Sequence, residues 1–379
     1  MTKRTRHLAA ILAAVLAFSM AGCGRGRQEA TGAESITVDV PENGLAADEI
    51  TPEAEPTEAP TATPTPKPTK KPTPAPTATP TPTPEPVDPL AGTIESESVG
   101  LTPDMKYAEF SVINSDSAIL YTNHYENANG ITVCVNAGHG TSGGGSVRTQ
   151  CHPDGTPKVT GGTNAEGSVT AMAVSSGMTF ADGTEERAVT LAEALILRDM
   201  LFDAGYNVLM IREGEDIQLD NVARTVLANT FADCHIAIHW DSTDWDKGCY
   251  YMSVPKVESY LNMEPVSYTW EKSEKFGDCL IEGLRNAGNK IFESGAMEAD
   301  LTQTSYSSIP SVDIELGDHV SDHSEETLKK LAEGLLQGVD LYFADVKEAA
   351  AKQDETAPAE SAADNTKTDD TAAAKADTP

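Results

Sequence analysis

Two histidines and two glutamates, far apart in the chain, are of the types and placement that fit metal-assisted hydrolysis. His139 lies between two glycines immediately after the apolar run Ile131–Asn136 (ITVCVN). His239 closes the run Cys234–His239 (CHIAIH), and Glu315 lies inside Ser311–Leu316 (SVDIEL). Glu186 opens a long amphipathic segment. Two imidazoles and one carboxylate, with a fourth position left for water, make a catalytic zinc set. The remaining carboxylate then serves as general base and acid. Each residue also has a plainer account. His139 suits a turn, although glycines on both sides let backbone approach a ligand. His239 suits a satisfied core histidine, and Glu186 or its neighbour Glu185 suits a helix N-terminus. Glu315 is harder to dismiss, because a buried carboxylate is costly unless it is paired or metal-bound.

These four residues need a common edge, and the alternation of elements supplies one. The runs 131–136, 206–211, 234–239, 248–254 and 311–316 read as strands. Segments 186–204, 219–231, 268–287 and 325–343 read as helices, the first ending at Gly205. In that first helix Val189, Ala192, Ile196 and Met200 mark one apolar face and Leu191, Leu195 and Phe202 the opposite one, which predicts a largely buried helix. Strands separated by helices indicate a single α/β domain with a mostly parallel, twisted sheet flanked by helices. Ligands of such sheets bind beyond the carboxyl ends of the strands. His139, His239 and Glu315 fall at those ends, and Glu186 follows a loop leaving the same edge. The Gly/Thr/Ser-rich stretch 141–183 has little periodicity and reads as a cover for the cleft or a surface excursion.

Composition limits what surrounds this domain. Most of the 23 prolines fall between Pro52 and Pro89, alternating with Thr and Ala, which favours an extended, semi-rigid spacer. Its lysines, Lys67, Lys70 and Lys71, read as solvated linker charge. The last thirty-odd residues carry no aromatic side chain, so neither flank has the apolar surface to offset chain entropy. With 27 Lys+Arg against 59 Asp+Glu the net charge is −32, which excludes bulk attraction to nucleic acid or to anionic lipid. Lys3, Arg4 and Arg6, the short apolar run Leu8–Phe18 and then Met20-Ala21-Gly22-Cys23 resemble a bacterial lipoprotein signal with its lipobox. That resemblance implies lipid attachment at Cys23 and an extracytoplasmic, membrane-anchored protein. Five further cysteines remain, an odd number without a CxxC pair; Cys134 and Cys234 lie in apolar runs and read as core residues.

Four segments together carry a family resemblance: Val135-Asn136-Ala137-Gly138-His139-Gly140, Glu186-Arg187-Ala188-Val189-Thr190-Leu191, Ala232-Asp233-Cys234-His235-Ile236-Ala237-Ile238-His239, and Ile309-Pro310-Ser311-Val312-Asp313-Ile314-Glu315-Leu316-Gly317. In order and spacing they resemble the zinc-dependent N-acetylmuramoyl-L-alanine amidases (amidase type 3). Arg212 and Arg224, the latter with Ala228-Asn229, also fit that pattern. The resemblance implies one Zn2+ ion held by His139, Glu186 and His239, with Glu315 as the catalytic glutamate. It further implies cleavage of the amide between N-acetylmuramic acid and the L-alanine of the stem peptide by a zinc-activated water. Glu186 is preferred to Glu185 because the motif places the ligand five residues before Leu191.

The expected partners are peptidoglycan and, through a lipid anchor, the membrane; a monomer is expected. The expected organisation is a lipoprotein signal peptide (1–22), a disordered polar segment (23–50), a Thr/Pro-rich stalk (51–89), an N-terminal extension of the folded domain (90–130), an amidase-like catalytic domain (131–346) and a disordered acidic tail (347–379). Trp240, Asp241, Thr190, Asp318 and His319 depart from the family's usual residues, and Trp240 and Asp318 are expected to change pocket shape and charge. Two other readings stand beside the amidase: a catalytically impaired wall-binding or regulatory module of the same fold, and a zinc peptidase acting on another amide.

Overall fold

Residues 90–347 are described by the computed structural model; the signal segment, Cys23, the stalk and residues 348–379 lie outside them. In chain order the elements are β1 (Ile94–Gly100), β2 (Ser117–Asn123), β3 (Thr132–Ala137), β4 (Arg148–Gln150), β5 (Thr170–Met172), α1 (Glu186–Asp203), β6 (Asn207–Met210) and α2 (Asn221–Phe231). They continue with β7 (Cys234–Asp241), β8 (Cys249–Ser253), α3 (Glu258–Leu261), α4 (Val266–Asn286), β9 (Ile291–Glu298), α5 (Thr302–Tyr306), β10 (Ser311–Asp318) and α6 (Glu325–Tyr342). Eight strands form one sheet in the order β1-β2-β6-β3-β7-β10-β8-β9. Its centre, β6-β3-β7-β10, is parallel throughout, and the antiparallel pairs β2–β6 and β8–β10 flank it.

Sequence and layer position agree along the central strands. All six residues of β3 are buried, which explains why its sequence is a nearly continuous apolar run: a parallel strand covered on both faces has no polar side. One face packs against α1, α4 and α6 through Val133, Val135, Ile236, Ile238, Val312 and Ile314. The other face packs on α2 through Cys134, Leu209, Ala223 and Leu227. At the outer edge, β1 exposes Glu95 and Glu97, and such charges discourage further strand addition.

Two features depart from the sequence reading, the buried face of α1 and the extra edge strands. In α1 the fully buried stripe is Glu186, Val189, Thr190, Glu193, Ala194, Leu197 and Leu201. The two apolar rows expected to be buried become its half-buried flanks, apart from Val189, because α6 covers only part of the helix. Strands β1, β2 and β9 also join the sheet: β9 is an edge strand with no clean alternation, and only Gly295 is fully buried in it. The segment 90–130, expected as an N-terminal extension of the folded domain, adds a hairpin to the sheet, since β2 pairs with β6. It is tied down by Asp220, whose Oδ1 accepts from Ala223 N at the start of α2 while Oδ2 accepts from the Val112 and Ile113 amides. All five described cysteines are free thiols, and Cys134 and Cys234 are fully buried.

Glu193 is an oddity of the core. It is fully buried on α1, and among the described residues neither carboxylate oxygen has a hydrogen-bond partner. Burial therefore pushes its pKa well above the ordinary carboxylate value. A folded-state pKa above the unfolded one costs stability as pH rises past the unfolded value. Glu193→Leu should accordingly stabilise the domain by about 1–3 kcal/mol at pH 7, and by clearly less at pH 4; thermal melts across pH 4–8 measure both.

Candidate metal centre

The site begins with a turn. After β3 the chain passes through Gly138, His139 and Gly140, and His139 adopts the left-handed conformation with φ of 62°. Gly138 has no room for a side chain, because a Cβ there would stand 2.3 Å from Cε1 of the His239 ring. Two fully buried arginines hold this turn from below. Arg212 donates to the carbonyls of Ala137 (3.1 Å), Gly138 (2.9 Å) and Arg187 (2.7 Å) and to Thr190 Oγ1 (2.9 Å). Arg224 donates to the carbonyls of His139 (2.6 Å), Ala137 (3.2 Å) and Leu219 (3.0 Å) and to Asn136 Oδ1 (3.1 Å). Burial, rather than any acidic partner, dominates their electrostatics and lowers the two pKa values to about 10 and about 9.

The turn, the start of α1 and the end of β7 bring three ligand atoms together. His139 Nε2 lies 2.8 Å from Glu186 Oε1 and 3.0 Å from His239 Nδ1, which is 3.2 Å from the same oxygen. Among the described residues this is the one His/Cys/Asp/Glu group whose donor atoms converge on a single point. Its outer contacts orient each member, as metal ligands require. His139 Nδ1 sits 2.9 Å from the Ser175 carbonyl, so it carries a proton there and turns Nε2 toward Glu186 and His239. Glu186 Oε2 accepts from Met178 N (2.8 Å), and Oε1 accepts from Trp240 N (3.0 Å). His239 turns Nε2 toward Asp313 Oδ2, 3.8 Å away.

Charge is balanced within the group. Burial alone would raise the Glu186 pKa, but hydrogen bonds from His139 and His239 hold it well below the usual range. Burial opposes a charge on His239, yet Asp313 and Glu186 raise its pKa to about 9. Two imidazole nitrogens 3.0 Å apart beside a carboxylate cannot both point lone pairs at each other without a cation between them, whether proton or metal. Two nitrogens and one oxygen in this arrangement fit zinc.

Glu315 stands in register with His239 across the β7–β10 pair and with Tyr250 across β8–β10. Its Oε2 is buried with no partner among the described residues, and burial lifts its pKa well above the ordinary value. Thus Glu315 lies beside His239 on the rim that carries His139 and Glu186. The stretch 141–183 is neither a lid nor a mere excursion. It forms a wall of the site, because Ser175 and Met178 touch the ligands. A Cβ at Gly177 (φ 82°) would stand 2.8 Å from His139 Cδ2 and 2.9 Å from Glu186 Oε2. The wall is pinned by buried Asp300, which accepts from Lys158 Nζ (3.1 Å) and Val159 N (2.8 Å) and meets His152 Nε2 at 2.9 Å.

Two expectations about the departures are corrected. Trp240 does not shape the pocket: its indole is buried against Phe180 in the helix-covered core, on the β7 face opposite His239. Asp318 places no free charge there either. It is fully buried and accepts from the Lys247 and Val320 amides. Asp241 does face the rim, where Oδ2 accepts from Lys247 Nζ (2.5 Å), Tyr250 OH (2.8 Å) and Thr243 Oγ1 (2.7 Å). Residues the sequence reading missed are Ser175, Met178 and Asp313. For Asp313 a signal exists, since it lies two positions before Glu315 on the same strand face.

Residues 133–340, more than half of the chain, match the family described as N-acetylmuramoyl-L-alanine amidase. The chain belongs to that amidase family. No curated protein matches its sequence. Solved structures of similar fold include the N-acetylmuramyl-L-alanine amidase Ami1 of Mycobacterium smegmatis, 20% identical with a TM-score of 0.46, covering 57% of this chain and 98% of that one. Apo Ami1 of Mycobacterium abscessus is 22% identical with a TM-score of 0.45, covering 57% and 99%. An N-acetylmuramoyl-L-alanine amidase of Clostridium difficile 630 is 18% identical with a TM-score of 0.41, covering 57% and 98%. Within this amidase domain the buried guanidiniums govern where His139 sits. Arg224→Met should cost about 3 kcal/mol of stability by stranding buried carbonyls, with Arg224→Lys recovering part of it; denaturant unfolding reads the effect.

Proposed function

We propose that the protein is a lipid-anchored, zinc-dependent N-acetylmuramoyl-L-alanine amidase of the cell wall. The observation that carries this reading is the convergence of His139, Glu186 and His239 beside Glu315 in a chain of the amidase family. His139 Nε2, His239 Nδ1 and Glu186 Oε1 would hold the ion. When bound there, zinc supplies Lewis-acid polarisation of the lactyl carbonyl and makes water acidic enough to react near neutral pH.

The chain's own residues supply the remaining parts. Ser175 and Asp313 orient the two imidazoles, and the Met178 and Trp240 amides fix the Glu186 carboxylate. Glu315, with a free oxygen and a raised proton affinity, takes a proton from the attacking water. It returns that proton to the nitrogen of L-alanine as the C–N bond breaks. Water oxygen ends on the lactyl carbon, and the stem peptide leaves with a free amino terminus.

Anchoring is part of the same proposal. Met20-Ala21-Gly22-Cys23 supports lipidation of Cys23, and the Thr/Pro-rich segment 51–89 supports a spacer that lets a tethered domain reach the wall as a monomer. Among the described residues no helix is long and apolar enough to cross a membrane. Mass spectrometry of purified peptidoglycan after digestion tests the reaction: release of stem peptides with an N-terminal L-alanine supports it, and cleavage inside the stem peptide overturns it. Glu315→Gln should lower kcat by at least about a hundredfold while zinc remains bound; His139→Ala should lose both. Cys23→Ser should move the protein from the membrane fraction to the soluble fraction, as read by immunoblot.

A further inference from the structure

Beside Glu315 three aromatic rings lead outward from the cleft. Tyr250 is the β8 neighbour of Glu315 and is almost fully buried. Phe292, at the start of β9, packs on Tyr250 with 5.5 Å between ring centroids and is half-buried. Trp245, in the β7–β8 loop, packs edge-on against Phe292 at 6.1 Å and is 53% exposed. The row therefore ends in an indole displayed to solvent on the rim that bears the metal ligands.

The surroundings limit what this indole can receive. Lys247 lies over the Tyr250 and Phe292 rings, but its ammonium is engaged by Asp241 and presents no cation to Trp245. The adjacent side chains are Asp244, 90% exposed and 3.2 Å from His319 Nδ1, and Asp246, 66% exposed and paired with Lys290 Nζ at 2.8 Å. A stem peptide carries at least its terminal carboxylate, which meets Asp244 and finds Lys290 already paired with Asp246. A sugar next to the scissile bond is uncharged, because its lactyl carboxyl is consumed in the amide. A pyranose presents a C–H face that suits an aromatic plane and hydroxyls that donate to flanking carboxylates.

We propose that Trp245, backed by Phe292 and Tyr250, is a saccharide platform on which an N-acetylated pyranose of the glycan strand stacks. The glycan arm of the substrate then runs along the β7–β8 loop and the start of β9, leaving the stem peptide to the opposite side of the metal centre. This placement rests on the amidase reading, but its binding test does not need turnover.

Calorimetric titration of the full chain with chitotetraose, an uncharged N-acetylglucosamine oligomer, tests it, with a free stem tetrapeptide as the second probe. Trp245→Ala should weaken chitotetraose binding by about five- to tenfold, Trp245→Phe should retain most of it, and tetrapeptide binding should not change. On glycan-bearing wall fragments Trp245→Ala should raise KM by the same factor while kcat stays within about twofold. Unchanged chitotetraose affinity in Trp245→Ala, or a loss confined to the tetrapeptide, overturns the inference even if the wall is cleaved. Trp245-dependent chitotetraose binding by a protein that releases no stem peptide supports the platform and overturns the amidase reading instead.

Discussion

The candidate metal centre depends on two positive charges buried under a turn with no carboxylate hydrogen-bonded to them. Arg212 and Arg224 are satisfied almost entirely by carbonyl oxygens, several of them from the Ala137–His139 segment. Taking a guanidinium out of water is expensive, and only a full set of well-placed acceptors offsets it. The energetic demand runs in both directions. The arginines require the carbonyls to point inward, and that requirement turns the His139 imidazole outward in a left-handed conformation an ordinary loop would avoid. Because Arg212 also takes the Arg187 carbonyl and Thr190 Oγ1, the same ion sets the first turn of α1 and with it Glu186. Thr190, a departure from the family's usual asparagine, serves as one of the acceptors and donates onward to the Gly138 carbonyl.

A second constraint acts from outside the sheet. The wall formed by 141–183 has little regular structure beyond the β4–β5 ribbon, so its position comes from contacts rather than from a ladder. Buried Asp300 gathers a histidine, a lysine and a backbone amide from that wall. The far end of the same stretch delivers the Ser175 carbonyl to His139 and the Met178 amide to Glu186. Ligand orientation thus depends partly on an ion cluster outside the centre itself.

Much of this was legible in the sequence, and the reasons are specific. His139, His239 and Glu315 were readable because each stands at the carboxyl end of an apolar run, where an open parallel sheet gathers its functional groups. Trp240 was misread because it was treated as a neighbour in sequence rather than by strand parity, and Asp318 because a register shift in β10 carries no signal in the sequence. Trp240 shares its face of β7 with Ile236 and Ile238, the side covered by helices, whereas β10 shifts register between Glu315 and Asp318, which sets Asp318 beside Asp241 and buries it against the Lys247 amide. Ser175 and Met178 carried no signal, since they contribute backbone groups that any residue possesses. Strands β1 and β9 were hidden for a different reason: edge strands need no continuous apolar run, and their polar sequences resemble loops.

The hairpin β1–β2 also fixes how small the domain can be made. The family match begins inside β3, yet a chain cut there would leave the outer side of β6 bare, with unpaired amides and carbonyls along a hydrophobic strand. It would also strip Asp220 of the two amides that share its buried carboxylate with the α2 cap. The autonomous folding unit therefore starts some forty residues ahead of the recognisable motif, and a fragment trimmed to the motif is a candidate for edge-to-edge self-association.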